Sequence, residues 1–162
     1  MVSNLLVVLC SPRAVQSKFV ADEIRYFKEQ GRSDRMLALM IDGEPNASDD
    51  PAKVEAFGAG AECFPEPLRF GVAAVGDAQR IDWSARTEPI AADVRPGGRC
   101  EQGWTTAAAY REQLVKEGKL TARQIAGAVT EYNERLELAK LKVIAGALGL
   151  PLGELTQRDK AF

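Results

Sequence analysis

One glutamate of this sequence stands where a carboxylate could do chemistry. In "SKFVADEI" (residues 17–24), Glu23 comes one helical turn after Phe19, and Tyr26 follows three residues later, so a helix would place all three on one face. A carboxylate beside an aromatic wall can stabilise the oxocarbenium-like state through which a glycosidic bond breaks. The same spacing suits a solvated glutamate paired with Lys18 for under ~1 kcal/mol, which is the commoner case from spacing alone.

The other reactive side chains indicate structure rather than catalysis. The chain has no histidine, which excludes mechanisms in which its own imidazole acts as a base or a metal ligand. Cys10 and Cys63 therefore have no histidine to activate them, and we expect buried structural thiols. Arg69 and Arg86 could hold phosphates, but ordinary surface arginines are the favoured interpretation.

An acidic loop follows the second apolar stretch and contains Asp42, Glu44, Asp49 and Asp50. Carboxylates are good calcium ligands, yet this spacing is not that of a calcium-binding loop, so we expect a solvated turn. The segment "GAGAEC" begins like a dinucleotide-binding fingerprint but lacks the third glycine and a preceding strand. No metal site is predicted.

The composition is that of an ordinary globular domain and excludes several classes of function. A chain of 162 residues suits one domain, and a net charge of −2 gives no basic surface for nucleic acid or an anionic membrane. No apolar run approaches the ~20 residues of a membrane span. The three cysteines are scattered and odd in number, which argues against structural zinc and favours a reducing compartment, so a cytoplasmic location is predicted.

The first part of the chain predicts a strand–helix–strand unit. "NLLVVLC" (residues 4–10) is apolar on both faces and predicts a strand covered on both sides. Ser11-Pro12 opens a helix expected to run to about Gln30, with Val20, Ile24 and Phe27 as its buried stripe. "RMLALMI" (residues 35–41) predicts a second strand, parallel to the first.

The remainder divides into two regions of the same single domain. Residues 44–103 hold most of the prolines and predict long loops with one or two short strands in "PLRFGVAAV" and "RTEPIAADV". Residues 105–150 predict two helices, each opened by a threonine cap. In the longer helix the regular spacing of apolar residues predicts one face against the sheet, formed by Val129, Tyr132, Leu136, Ala139, Val143 and Ala147.

Several blocks, taken in order, resemble the later half of bacterial Toll/interleukin-1 receptor (TIR) domains. They are "LLVVLCSP", "SKFVADEI", "RMLALMIDGEPNAS", "ECFPEPLRF", "RTEPIAADVRPGG" and the closing "ERLELAKLKVIAGALGLPLGELTQRD". The similarity covers nearly the whole chain. It implies a flavodoxin-like α/β fold with strand order 2-1-3-4-5, of which this chain would supply the third strand onward.

The resemblance also implies a site. NAD-consuming TIR domains need a glutamate after the third strand to cleave the nicotinamide–ribose bond, and Glu23 stands at the corresponding position. Ser11, Ser17 and Phe19 would contact the substrate, with Phe19 replacing the more usual tryptophan. NAD⁺ would be the substrate, and neither a cofactor nor a metal is implied.

The family's opening strand, first helix and second strand have no counterpart in this sequence. The strand of residues 4–10 would then have one edge without a partner, and an apolar open edge is a template for pairing with another chain. We expect self-association through this edge, or association with other TIR-like domains. The implied function is a bacterial signalling and assembly module, linked to NAD⁺ cleavage but incomplete as an enzyme; the alternative is a non-catalytic small α/β protein-interaction domain.

Overall fold

The computed structural model describes residues 4–98 and 100–150. Its strands are β1 (Leu6–Cys10), β2 (Met36–Met40), β3 (Phe70–Val75), β4 (Ala78–Arg86) and β5 (Ala91–Asp93). Its α-helices are α1 (Pro12–Val15), α2 (Lys18–Phe27), α3 (Pro51–Phe57), α4 (Ala107–Glu117) and α5 (Ala122–Leu148). None of the described helices is both long and apolar enough to cross a membrane.

Three of the strands form a parallel sheet in the order β1-β2-β5. β1 pairs with β2, with Val8 opposite Ala38, and β2 pairs with β5, with Met40 opposite Asp93. β1 reads LVVLC and β2 reads MLALM, and continuous apolar runs of this kind are typical of strands in a layered parallel sheet. The prediction of an α/β fold with parallel consecutive strands is confirmed.

β1 lies at one edge of this sheet and is covered on one face only. Val8 and Cys10 are buried, whereas Leu9 on the opposite face is 54% exposed. The prediction that this strand is covered on both sides is therefore wrong, because α5 packs mainly on β5 and β2. The predicted open edge is present: no strand of the described residues pairs with the outer side of β1.

The predicted single helix from Pro12 to Gln30 is two helices. Ser17 interrupts it, because its N–H donates to the carbonyl oxygen of Ala14 (3.1 Å) while its Oγ accepts from the N–H of Val20 (3.4 Å). The first bond closes α1 and the second caps α2. A serine offers the backbone such a local alternative, which explains the break inside a run that otherwise favours helix.

The core on the first face of the sheet is formed by α2 and the segment that precedes β3. Ile24 and Phe27 of α2 pack with Phe64 and Leu68 against β1 and β2, and all four are at most 6% exposed. This confirms the predicted stripe of α2, in which Val20 is partly buried. Burying each such side chain stabilises the fold by roughly 1.5–3 kcal/mol.

Residues 44–103 contain more regular structure than predicted. β3 and β5 occupy the two predicted apolar pieces, but α3 and β4 were not predicted. α3 begins where Asp50 accepts the N–H of Ala52 and a proline takes the first helical position. The cap and the proline are a local start signal, but the helix has only seven residues and no long apolar period.

β3 and β4 form a separate antiparallel hairpin. The turn lies at Gly76 and Asp77, and Gly76 has φ +63°, a conformation that glycine adopts at little cost. Trp83 of β4 packs edge-on against Phe70 of β3, with ring centroids 5.4 Å apart. The Gly-Asp pair between two half-apolar runs was the signal for this hairpin.

The two predicted C-terminal helices are present. Thr106 caps α4, which ends at Gly118 with φ +65°. α5 begins with a capping box, in which the Thr121 hydroxyl and the Gln124 side chain each accept the other residue's backbone N–H. It ends at Gly149, as predicted; Pro151 and Gly153, also expected to end it, lie outside the described residues.

α5 covers the second face of the sheet over β5 and β2. Tyr132 and Ala139 are buried, as the periodicity predicted, but near the end of the helix Ala145 is buried in place of Ala147. The Tyr132 hydroxyl accepts the N–H of Trp104 (2.7 Å) and contacts the carbonyl oxygen of Val94 (2.6 Å). These bonds hold the segment between β5 and α4 against the helix.

Candidate functional site

Glu23 lies on the outer surface of α2. Phe19, Glu23 and Tyr26 share a face, as predicted, but all three are exposed, Phe19 to 88%. The buried face of the same helix carries Ile24 and Phe27. The expectation that Glu23 lines part of a cavity is not met by the three cavities described here, none of which it lines.

Ser11 and Ser17, the two predicted substrate contacts besides Phe19, serve as helix caps. The Ser11 hydroxyl accepts the N–H of Ala14 (3.2 Å) at the start of α1, and Ser17 caps α2. Both lie beyond the carboxyl end of β1, where ligands of open α/β sheets usually bind. The structure therefore brings Ser11, Ser17, Phe19 and Glu23 to one end of the sheet but does not enclose them.

The loop after β2 is not a solvated acidic turn. Glu44 is 8% exposed and pairs with Lys53 (2.8 Å) and Arg95 (3.0 Å). Asp49 pairs with both Arg69 and Arg86. The expectation of a solvated loop was wrong because the basic partners come from positions far along the chain.

Glu62 organises this loop from below. Its carboxylate, in a residue that is 3% exposed, accepts the backbone N–H groups of Asn46 (3.1 Å), Ser48 (3.1 Å) and Phe64 (2.9 Å) and the Ser48 hydroxyl (2.8 Å). Four donors on one buried carboxylate satisfy its charge and fix the loop to the start of the core segment. Sequence reasoning missed Glu62 because its partners at Asn46 and Ser48 are distant along the chain.

Arg95 is the buried cation at the same end of the sheet. It is 3% exposed and binds both carboxylate oxygens of Asp93 (3.0 Å each), one of Glu44 (3.0 Å) and the carbonyl oxygen of Gly43 (2.7 Å). Burial disfavours the charged guanidinium, but the hydrogen bonds and charges of Asp93 and Glu44 outweigh it and raise the pKa of Arg95. Arg135 of α5 extends the cluster to Asp93 (3.3 Å).

Arg69 and Arg86 converge on one carboxylate. Arg69 is 9% exposed, so the prediction of a surface arginine is wrong for it, whereas the Arg86 side chain is 46% exposed. Both donate to Oδ2 of Asp49 and lower the pKa of that carboxyl group against the effect of its own burial. An internal carboxylate therefore already occupies the place where these arginines could hold an external phosphate.

The cysteines are structural, as predicted for Cys10 and Cys63. Both are fully buried in the core, and burial raises the pKa of the Cys10 thiol to about 12 and raises that of Cys63 further. A thiol that stays protonated near neutral pH is a poor nucleophile. In the described part of the chain, no group of three or more histidine, cysteine, aspartate or glutamate residues could hold a metal ion.

Lys28 links α2 to the β-hairpin. It is 4% exposed, and its ammonium group donates to the carbonyl oxygens of Leu68 (3.3 Å) and Phe70. Burial lowers the pKa of Lys28 from 10.5 to about 8, because the charged amine is removed from water. No carboxylate offsets that penalty among the hydrogen bonds and ion pairs described here.

The pKa of Lys28 predicts a pH dependence of stability. Between pH 8 and 10.5 the unfolded chain holds a proton at this amine that the folded chain has released, so the contribution of Lys28 to the unfolding free energy rises with pH. We expect the difference between the unmodified chain and Lys28→Met to shift by about 2–3 kcal/mol in favour of lysine across that window. Denaturant unfolding at several pH values measures it. The exposed Lys116→Met is the control, and a difference independent of pH would contradict the interpretation.

The outer edge of β1 presents unpaired backbone. The carbonyl oxygen of Cys10 accepts the N–H of Ile41 (3.0 Å), so the backbone of Cys10 faces β2. Because successive residues of a strand alternate in direction, the N–H and C=O groups of Val7 and Leu9 face the opposite, outer side. They are the groups that a further strand would bind.

An apolar groove adjoins this edge on the second face of the sheet. It has a volume of about 730 Å³ and lies between β2, residues 103–107 and α5. Most of its lining is apolar and includes Leu39, Ile41, Trp104, Leu136, Val143 and Ile144. Leu9 stands beside Leu39 in the sheet, so the groove is continuous with the bare face of β1. Sequence reasoning predicted the open edge but not the groove, because the groove depends on where α5 crosses the sheet.

Comparison with known proteins gave no match: no family model, no curated protein and no solved structure was similar to this chain at the significance required.

Proposed function

We propose that this chain is a signalling and assembly module resembling the later half of a bacterial TIR domain, which binds other chains through the outer edge of β1. One observation supports this most directly. β1 has the all-apolar sequence of an interior strand but lies at the margin of its sheet, with Leu9 more than half exposed. Open edges of this kind pair readily with other strands.

The absence of an enclosing cleft favours assembly over independent catalysis. Glu23 and Phe19 are exposed to solvent, whereas stabilising a charged transition state requires a preorganised site from which water is largely excluded. Any NAD⁺ cleavage by Glu23 would therefore need a second wall supplied by another chain.

Self-association tests the assembly proposal. We expect the mass from light scattering after size-exclusion chromatography to rise above the 17.6 kDa of one chain as concentration increases. Leu9→Pro should keep the mass at one chain, because it removes an outward N–H while leaving the bonds to β2, and circular dichroism checks that it folds. Leu9→Ala, which keeps the N–H, is the matched control. A chain that stays at 17.6 kDa at the highest soluble concentration contradicts self-association.

NAD⁺ cleavage by the chain itself is the second candidate function. It is favoured by Phe19 and Glu23 sharing one accessible face of α2 just beyond the carboxyl end of β1. For an assembly module we expect no nicotinamide release from NAD⁺ above background, measured by chromatography. Release that is lost in Glu23→Gln and retained in Glu55→Gln, a matched exposed glutamate, would replace the assembly proposal with an NAD⁺-cleaving enzyme.

A non-catalytic α/β interaction domain unrelated to TIR domains is the remaining alternative. It shares the expected association through β1 but predicts no contribution of Glu23 under any condition. Nicotinamide release from a mixture of this chain with a complete TIR domain whose own catalytic glutamate is replaced separates the two. Release dependent on Glu23 supports the TIR-like proposal, and its absence supports the unrelated domain.

A further inference from the structure

The edge of β1 alone is too small for a stable interface. β1 has five residues, which corresponds to a strip about 17 Å long and about 5 Å wide between paired strands. Pairing along such a strip buries a few hundred Å², whereas stable interfaces bury about 1,200–2,000 Å² in total. A partner that binds firmly must therefore contact more of the molecule than this edge.

A second copy of the chain does not provide that additional contact. If two β1 strands paired about a twofold axis in a continuous sheet, the bare second faces of both copies would lie side by side. Leu9 (54% exposed) and Ile144 (45% exposed) would then be only partly covered in each copy, because each α5 lies over its own β2 and β5. Self-association through β1 should therefore be weak, with both grooves still open.

We propose that the preferred partner is a strand followed by an amphipathic helix, with the strand running parallel to β1 and the helix lying in the groove beside α5. This inference rests on the proposed assembly function and specifies its partner. The strand would bind the outward backbone groups of Val7 and Leu9. The helix would cover Leu9, Leu39 and Ile144, which the structure leaves without a neighbour on that side.

The handedness of parallel sheets determines the side on which that helix lies. From β1 the chain moves to β2 through α2, which packs on the first face. Crossovers between parallel strands are right-handed, so a connection that leads outward from β1, in the opposite direction, must cross the opposite face. That is the second face, where the groove lies. Edge and groove thus suit one continuous strand–helix segment.

The rim of the groove indicates what the helix would carry. Glu137 and Lys140 line it and form an ion pair with each other at 2.7 Å. A lining of mixed sign selects no strongly charged partner. The helix should be apolar where it faces Leu136, Val143 and Ile144, and should place polar residues of both signs near the rim.

Displayed peptide libraries test this inference. Three libraries of equal diversity would be displayed on one monomeric carrier: a strand of about six residues, a helix of about 14 residues, and the two joined by a short glycine-containing loop. We expect strand–helix clones to bind the full chain at least tenfold more tightly than the best clone of either other library. Their binding should fall at least tenfold in Leu9→Pro and in Ile144→Lys.

Matched variants keep the result interpretable. Leu138→Lys introduces the same charge on α5 at a leucine of similar exposure (44%) that does not line the groove, and it should leave binding unchanged. Leu9→Lys tests the edge with an intact backbone, should Leu9→Pro fail to fold.

Two outcomes overturn the inference. If strand-only clones bind as tightly as strand–helix clones and Ile144→Lys has no effect, the groove takes no part and only the proposed edge remains. If no library yields a binder sensitive to Leu9→Lys and the chain does not self-associate, both the inference and the proposed function fail.

Discussion

Replacing Glu62 with alanine is expected to lower the free energy of unfolding by about 3–5 kcal/mol. The substitution removes the acceptor of four hydrogen bonds and leaves the buried N–H groups of Asn46, Ser48 and Phe64 without their partner. It also removes the carboxylate lying 3.9 Å from the buried guanidinium of Arg69. Urea denaturation monitored by circular dichroism measures the change.

Glu66→Ala is the matched control for Glu62. Glu66 is an exposed glutamate four residues further on, and its replacement should change the unfolding free energy by less than about 0.5 kcal/mol. Equal effects of the two substitutions would show that Glu62 does not hold the loop.

Replacing Arg95 with methionine is expected to cost about 3 kcal/mol or more. Methionine keeps much of the volume but leaves two buried carboxylates, of Glu44 and Asp93, with fewer partners, namely Lys53 for the first and Arg135 for the second. Lysine should not rescue the loss, because a single ammonium cannot bind both oxygens of Asp93 and also reach Glu44 and Gly43. Thermal and urea unfolding of both variants measure this.

The exposed Arg25 supplies the control for Arg95. Its side chain is 51% exposed and pairs only with Asp22 on the same helix among the ion pairs described. Arg25→Met should cost under about 0.5 kcal/mol. The double variant Arg95→Met with Glu44→Gln should be less destabilised than the sum of the single changes, since the second change removes the stranded charge. Additive losses would contradict a direct coupling.

Local signals in the sequence predicted most of the regular structure. The apolar runs of β1 and β2 and the threonine caps of α4 and α5 specify their elements within a few residues. The break at Ser17 and the hairpin at Gly76 also have local causes, but short signals of this kind compete with longer patterns that favour other structures.

Long-range contacts could not be predicted from the sequence. Glu62 reaches back to Asn46, and Arg95 reaches back to Glu44, so neither partner can be inferred from spacing. The spacing of Phe19 and Glu23 correctly predicted a shared helix face, because that depends on helical geometry alone. Whether a cleft surrounds them depends on other segments, and in this chain their face is open.

Hydrogen exchange at β1 tests the central claim most directly. The claim is that the outer edge of β1 is the surface through which the chain associates. We predict that the amides of Val7 and Leu9, which face outward, exchange quickly at low protein concentration and become protected as the concentration rises. The amide of Val8, which faces β2, should be protected throughout. Unchanged exchange at Val7 and Leu9 while light scattering reports association would place the interface elsewhere and contradict the account.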